Sequence, residues 1–226
     1  WSIEATLANQ KREGNKRVEF QAVIHSIHGQ KGQLKIGDEA RAREITTDLD
    51  GADYRVHSVK IRETRRRPAA PFITSSLQQE ASRKLRFTAR RTMQVAQQLY
   101  EGLSIGNEGD VGLITYMRTD STNVATSALR EASQYIKSKF GPEYAPKSFR
   151  FYTKKVKGAQ EAHEAIRPTS VMREPESVQK HMTPEQFRLY DLIWKRLVAS
   201  QMEDARLDST TVEIVSQSVK SSTAYN

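Results

Sequence analysis

The apolar residues of this chain change period twice, and that limits what it can fold into. Val18, Phe20, Ala22 and Ile24 alternate with polar Glu19 and Gln21, the period of two that belongs to strands. From Thr74 the spacing becomes helical. Thr92, Val95, Ala96, Leu99 and Tyr100 fall at i, i+3, i+4, i+7 and i+8, and Ala125, Ala128, Leu129, Ala132 and Ile136 repeat the pattern. After Asp208, Thr210, Val212 and Ile214 alternate with Thr211, Glu213 and Val215, so the period returns to two. The order β, then α, then β predicts an α+β protein: a mainly β domain into which a mainly α domain is inserted.

Local signals refine the boundaries. His28-Gly29-Gln30-Lys31-Gly32 and Asp50-Gly51 are turns, and Tyr54 to Ile61 is a further strand. The first seventy or so residues therefore read as β. Residues 65–72 read as a linker, because Pro68 and Pro71 cannot join a central ladder. The helix carrying Ala128 begins near Thr122 and stops at Gly141-Pro142. Thr183-Pro184-Glu185-Gln186 is a capping box with proline at the first helical position. It opens a helix with Tyr190, Ile193, Trp194, Leu197 and Val198 on its buried face. The domains are expected at 1–72 with 202–226 (β) and at 73–201 (α). Two chain crossings, near Phe72 and Gln201, are suited to a hinge.

Charge narrows the partner. Lys and Arg total 36 against 27 Asp and Glu, a formal charge of +9, which favours a polyanion such as nucleic acid. Cysteine is absent, which removes disulfides, thiolate zinc sites and cysteine nucleophiles, and is compatible with the cytoplasm. Apart from His25 and His28, three positions apart, the histidines are scattered and match no established ligand pattern, so no metal site is expected within the chain. No apolar run approaches membrane-spanning length and no signal peptide is visible. The chain opens on Trp1 rather than Met, which reads as a piece of something longer.

Residues 111–123, Val-Gly-Leu-Ile-Thr-Tyr-Met-Arg-Thr-Asp-Ser-Thr-Asn, concentrate phosphate chemistry. An apolar run delivers Tyr116 to a surface. Arg118 offers a bidentate cation; Thr119, Ser121 and Thr122 offer hydroxyls; Asp120 can fix its neighbours. A tyrosine after an apolar run commonly just packs, and its phenol, with a pKa near ~10, attacks only when something takes its proton or stabilises phenolate. Tyrosine attack on a phosphodiester would give a phosphotyrosine ester and release a sugar hydroxyl. The ester conserves the bond energy, so the strand reseals without a nucleoside triphosphate. The leaving oxygen needs an acid or a metal, and no candidate acid cluster stands out beside the tyrosine in this stretch.

The stretch Gly-Leu-Ile-Thr-Tyr-Met-Arg-Thr-Asp-Ser-Thr-Asn resembles the active-site signature of the type IA topoisomerases, the family of bacterial DNA topoisomerase I. Pro71-Phe72-Ile73-Thr74-Ser75-Ser76-Leu77-Gln78-Gln79-Glu80-Ala81-Ser82 is similar to that family's entry into its tyrosine domain. Gln160-Glu161-Ala162-His163-Glu164-Ala165-Ile166-Arg167-Pro168 resembles its second signature. Leu192-Ile193-Trp194 and Asp208-Ser209-Thr210-Thr211 also match, so the resemblance spans most of residues 68–215, and residues 1–67 match only in position and β character. It implies that Tyr116 is the nucleophile, linking to the 5′ phosphate of single-stranded DNA, and that Arg118 stabilises the scissile phosphate. It implies that Asp120 and Ser121 shape the loop, that His163 positions DNA, and that Arg167 belongs to the same shell. It further implies an arch and gate that relax negatively supercoiled DNA. Mg2+ and the general acid would sit on an N-terminal domain missing from this chain, so these residues alone are expected to cleave poorly. If the segment is helical, His163 and Arg167 share one face.

Rival readings stay in view. A tyrosine recombinase places its histidine before its tyrosine and spaces it as His-x-x-Arg, the reverse of the order here. A non-catalytic DNA-binding module would use Tyr116 only for packing or stacking. A reverse gyrase core would carry the same signatures. Arg65–Arg67, Arg83-Lys84, Arg90-Arg91, and Lys154-Lys155 with Lys157 are candidate phosphate contacts or solvated faces. Phe149, Phe151 and Tyr152 read as a core strand more than as base-stacking residues.

Overall fold

The computed structural model describes residues 1–9, 17–28, 30–106, 109–152, 163–218 and 223–226. It forms two compact units: residues Trp1–Thr64 with Leu207–Asn226, and residues Arg65–Arg206. Helix and strand are both well represented, an α+β architecture.

The first unit begins with a hairpin. Strand β1 (Glu4–Ala8) pairs antiparallel with β2 (Glu19–Val23), in a register running from Glu4 opposite Val23 to Ala8 opposite Glu19. A helix follows, α1 (Glu39–Leu49), within the first seventy residues that read as β in sequence. The reason is local. Asp38 caps it, its carboxylate accepting the Arg41 N–H at 2.8 Å, and Arg43 reaches back one turn to Glu39. Ala42 and Ile45, three apart, are its buried side, and they pack with Ile36 and Tyr225 under Ile3, Ile24, Ile27, Leu34 and Leu49. Gly51 turns the chain at φ +76° into β3 (Asp53–Arg66). The strand thus runs two residues into the segment read as a linker. β6 (Ala205–Gln217) lies between β3 and the short β7 (Ala224–Tyr225).

The second unit is built around four helices: α2 (Thr74–Leu85), α3 (Ala89–Glu101), α4 (Thr126–Lys139) and α6 (Pro184–Ser200), with the single-turn α5 (Pro175–Val178) preceding α6. The helical periodicity locates their faces. Thr92, Val95, Ala96 and Leu99 are buried on α3, whereas Tyr100 stays exposed. On α6, Leu189, Tyr190, Ile193, Trp194, Leu197 and Val198 are buried, each apolar chain contributing roughly 1.5–3 kcal/mol. The capping box is present: the Thr183 hydroxyl accepts the Gln186 N–H and Gln186 Oε1 accepts the Thr183 N–H. Polar tips of the core aromatics are satisfied by backbone. Trp194 Nε1 donates to Val171 O at 2.9 Å and Tyr190 donates to Arg173 O at 2.8 Å. Tyr135 meets Trp194 edge-on at 5.3 Å.

Two expectations are corrected here. α4 starts at Thr126, not near Thr122, because residues 119–123 spend their polar groups on the loop before it. Residues 149–152 form no strand: Phe151 is 64% exposed. Tyr152 is half-buried instead, its hydroxyl donating to Ser200 O at 2.7 Å while the Arg67 guanidinium covers its ring at 5.0 Å. Gly29, Lys154, Lys155, Lys157 and Gln160-Glu161-Ala162 lie outside the described residues.

Candidate active site

The tyrosine segment is anchored by what lies on either side of it. β4 (Leu103–Ser104) and β5 (Asp110–Val111) make a two-stranded turn after α3, and the chain then runs back along the helix end. Leu113 N–H donates to Leu99 O at 2.7 Å. Gly112 permits that approach, since a Cβ there would stand 2.8 Å from the Tyr100 carbonyl oxygen. Burial then alternates. Leu113, Ile114, Met117 and Thr119 are inside; Tyr116, Arg118 and Asp120 are exposed. Period-two alternation in an extended segment delivers these three candidate side chains to solvent while their neighbours hold the backbone. Tyr116 is 50% exposed, and its ring meets the exposed Tyr100 ring at 5.3 Å, edge to face at 65°.

Two partners pin this segment. The first is the second-signature stretch. Thr115 N–H donates to Arg167 O at 2.9 Å, Arg167 N–H donates to Thr115 Oγ1 at 3.0 Å, and Thr169 N–H donates to Leu113 O at 2.9 Å. Ile166 N–H donates to Phe72 O at 2.8 Å, and isolated bridges join Phe72 to Ile166 and Ile114 to Pro168. Residues 163–168 are thus extended, not helical, and the shared helical face of His163 and Arg167 does not exist. The second partner is Thr74, the first residue of α2. Its hydroxyl lies 2.8 Å from Met117 O and 3.0 Å from Thr119 O, and accepts the Thr119 N–H at 2.9 Å. Its own N–H donates to Thr119 O at 2.9 Å.

Arg118, Asp120 and His163 line one cleft of about 450 Å³, together with Ile73, Thr74, Ser75 and Gln78 from the start of α2. The helix N-terminus, a guanidinium and an imidazole all favour an anion there, with Asp120 as the opposing charge. The other predicted residues have different surroundings. Ser121 Oγ accepts the Asn123 N–H at 3.1 Å, and its own N–H donates to Thr119 Oγ1 at 3.0 Å, which shapes the loop. The Arg167 side chain is only 11% exposed and is turned inward, donating to Glu164 at 2.7 Å and to Pro168 O at 3.0 Å. Glu164 also accepts the Ala125 N–H at 2.7 Å, at the start of α4. Thr74, Tyr100 and Glu164 are the residues that sequence reasoning misses as site-formers. Thr74 and Glu164 sit inside the matching stretches, but only their partners distinguish them from the residues beside them.

Among the described residues, no three His, Asp or Glu side chains converge as a metal site would require. Among them, too, no helix is long and apolar enough to cross a membrane.

The helical unit thus carries both an exposed tyrosine and an anion-favouring cleft lined by Arg118, Asp120 and His163. The chain belongs to the DNA topoisomerase family, in its bacterial type IA branch: the family match covers residues 1–225. It is 48% identical over 218 residues to DNA topoisomerase 1 of Xylella fastidiosa (strain 9a5c), covering 95% of this chain and 26% of that protein. Its fold is similar to full-length topoisomerase I from Thermotoga maritima, with a TM-score of 0.67 at 33% identity, covering 100% of this chain and 33% of that one. The chain therefore spans between a quarter and a third of the length of these relatives.

Proposed function

We propose that this chain carries the covalent half of a type IA topoisomerase site, with Tyr116 the nucleophile on single-stranded DNA. The observation that carries the reading is the exposure of Tyr116, with Arg118 two residues on, in a segment held by the buried Leu113, Ile114, Met117 and Thr119. The phenol gives up its proton to solvent as its oxygen bonds to a backbone phosphorus, the bond to the 3′ oxygen breaks, and the protein holds the 5′ phosphate as a phosphotyrosine ester. A proton must reach the departing 3′ oxygen. Arg118 neutralises charge that builds on the phosphoryl oxygens, and the α2 N-terminus and His163 hold the adjoining backbone. Reversal, with the 3′ hydroxyl as nucleophile, reseals the strand without ATP. Between the two steps a second strand passes through, relaxing negative supercoils, and the β unit acts as the arch and hinge of that gate.

Magnesium and the proton donor belong to acidic residues of a preceding domain in this reading, which is the partner this chain requires. The chain alone is then cleavage-deficient, and the full enzyme works on cytoplasmic DNA. The test is Tyr116→Phe in the full-length enzyme. We expect relaxation of negatively supercoiled plasmid to disappear while binding of a single-stranded oligonucleotide is retained. Normal relaxation without the phenol oxygen sinks the reading and leaves a non-catalytic DNA-binding module. Abundant covalent adduct formed by the 226-residue chain alone with magnesium sinks the division of labour.

A further inference from the structure

A second basic surface lies on the helical unit, and it shares no lining residue with the cleft of Arg118, Asp120 and His163. It is a groove of about 1430 Å³. Small-molecule pockets run to roughly 300–1,000 Å³, so the space suits a polymer better than a metabolite. Three of the basic stretches visible in the sequence bear on it differently. Arg65, Arg66 and Arg67 line one part and Arg83 and Lys84 another, although they are separated by some twenty positions. Arg91 is elsewhere, engaged with Glu185. α6 adds Arg188, Lys195 and Arg196, and the start of β6 adds Arg206.

Nine Arg and Lys against five Asp and Glu line the groove, so its positive charge is only partly cancelled, Lys195 pairing with Asp191 at 2.8 Å. Arg83, Lys84 and Arg196 converge on one carboxylate, Glu80, with Lys84 at 3.3 Å and Arg196 at 3.7 Å. Arg66 and Arg206 are exposed and form no ion pair among the described residues. Several of the cations are held in place before any ligand arrives. The Arg188 guanidinium lies 5.2 Å over the Phe87 ring and donates to Leu85 O at 2.8 Å; Arg196 lies 4.3 Å over Phe72; Arg67 lies over Tyr152 and donates to Phe151 O at 3.1 Å. Ordering cost is therefore already met in the free protein. Tyr144, 47% exposed, supplies a ring on the groove wall on which a base could stack.

From these observations we propose that this groove is a second nucleic-acid site, which tracks the phosphates of a single strand independently of sequence. It rests on the reading above only in taking DNA as the partner; it does not depend on Tyr116 being the nucleophile. Arginines fixed by their neighbours, a polymer-sized groove and an exposed ring fit a phosphodiester backbone with unstacked bases.

The test uses the 226-residue chain and a fluorescein-labelled oligo-dT of about 20 nucleotides, followed by anisotropy between about 50 and 200 mM NaCl. The variant is Arg66→Ala/Lys195→Ala/Arg206→Ala, three exposed positions, with an unchanged melting temperature as the check on folding. Affinity at low salt is expected to fall at least about tenfold, and the slope of log K against log salt to shrink by about 2, near 0.7 for each phosphate contact removed. Arg66→Lys/Arg206→Lys should restore most of the binding. In the parallel arm, Arg118→Ala/His163→Ala weakens the cleft and leaves the salt slope carried by the groove in place. Wild-type chain that binds no oligonucleotide defeats the DNA reading as a whole. Wild-type binding matched by the triple variant in affinity and slope overturns the groove alone. Displacement of the oligonucleotide by poly-glutamate at equal charge overturns its assignment to nucleic acid.

Discussion

Replacing Thr74 by valine tests whether the loop that presents Tyr116 and Arg118 is held by one hydroxyl. Valine keeps the shape and the β-branch and removes only the oxygen. That oxygen has a single hydrogen, shared between Met117 O and Thr119 O, and it accepts the N–H of Thr119, a residue only 8% exposed. The lost donated bond is worth ~1 kcal/mol, and an orphaned, buried N–H costs ~1–3 kcal/mol more. Thr119 O keeps the Thr74 N–H, which limits the loss. The sum is about 2–3 kcal/mol. At ~2–4 °C per kcal/mol for a chain of this size, the melting temperature of the helical unit should fall by roughly 5–10 °C. Differential scanning calorimetry of the chain measures it, and the β unit serves as the internal reference. Thr74→Ser, which restores the oxygen, should recover most of the loss. A fall under about 2 °C for the valine variant, or no difference between valine and serine, refutes the claim that this hydroxyl pins the loop.

Three further outcomes are expected. Gly112→Ala places a Cβ 2.8 Å from the Tyr100 carbonyl oxygen and should cost about 1–3 kcal/mol in urea unfolding; an unchanged midpoint shows that the tyrosine segment can move away from α3. Glu164→Ala strips a partner from the inward-turned Arg167 and the acceptor from Ala125 N–H, a loss near 2 kcal/mol, and Glu164→Gln should lose less than half of that; equal losses count against the ion pair. Burial, then the nearby Glu174 carboxylate, pushes the Tyr135 phenol up to about 12, and burial raises Tyr190 further still. An unfolded tyrosine ionises near pH ~10 while the folded one keeps its proton. The contribution is therefore complete below that pH and declines above it, by up to about 1.4 kcal/mol per pH unit. Urea unfolding between about pH 9 and pH 11 should show a shallower decline for Tyr135→Phe than for the native chain, and parallel declines would contradict the assignment.

Long, periodic segments were legible in the sequence because one residue's neighbours in a helix are its neighbours in sequence. The faces of α3 and α6, and the Thr183 capping box, follow from spacings of three and four. α1 is the instructive miss. Ala42 and Ile45 carry a helical spacing and Asp38 a cap, but the surrounding turns and strands give the stretch a β appearance. The strand expected at residues 149–152 failed for another reason: Tyr152 is claimed by Ser200 O and Arg67, groups far away in sequence.

The chain's own letters determined its family, its β–α–β order and the chemistry gathered at residues 116–121, because each of these is written in contiguous residues or a short period. Only the folded chain decided which of those residues share a cleft. His163 reaches the cleft of Arg118 and Asp120, whereas Arg167, four positions on, turns inward to Glu164. The fold also chose the residues that hold the tyrosine loop, Thr74 and Tyr100, and it drew Arg65–Arg67 and Arg83-Lys84 into one groove. Such pairings are contacts between segments distant in the chain. They are set by how helices and extended segments pack against one another, which no local pattern encodes.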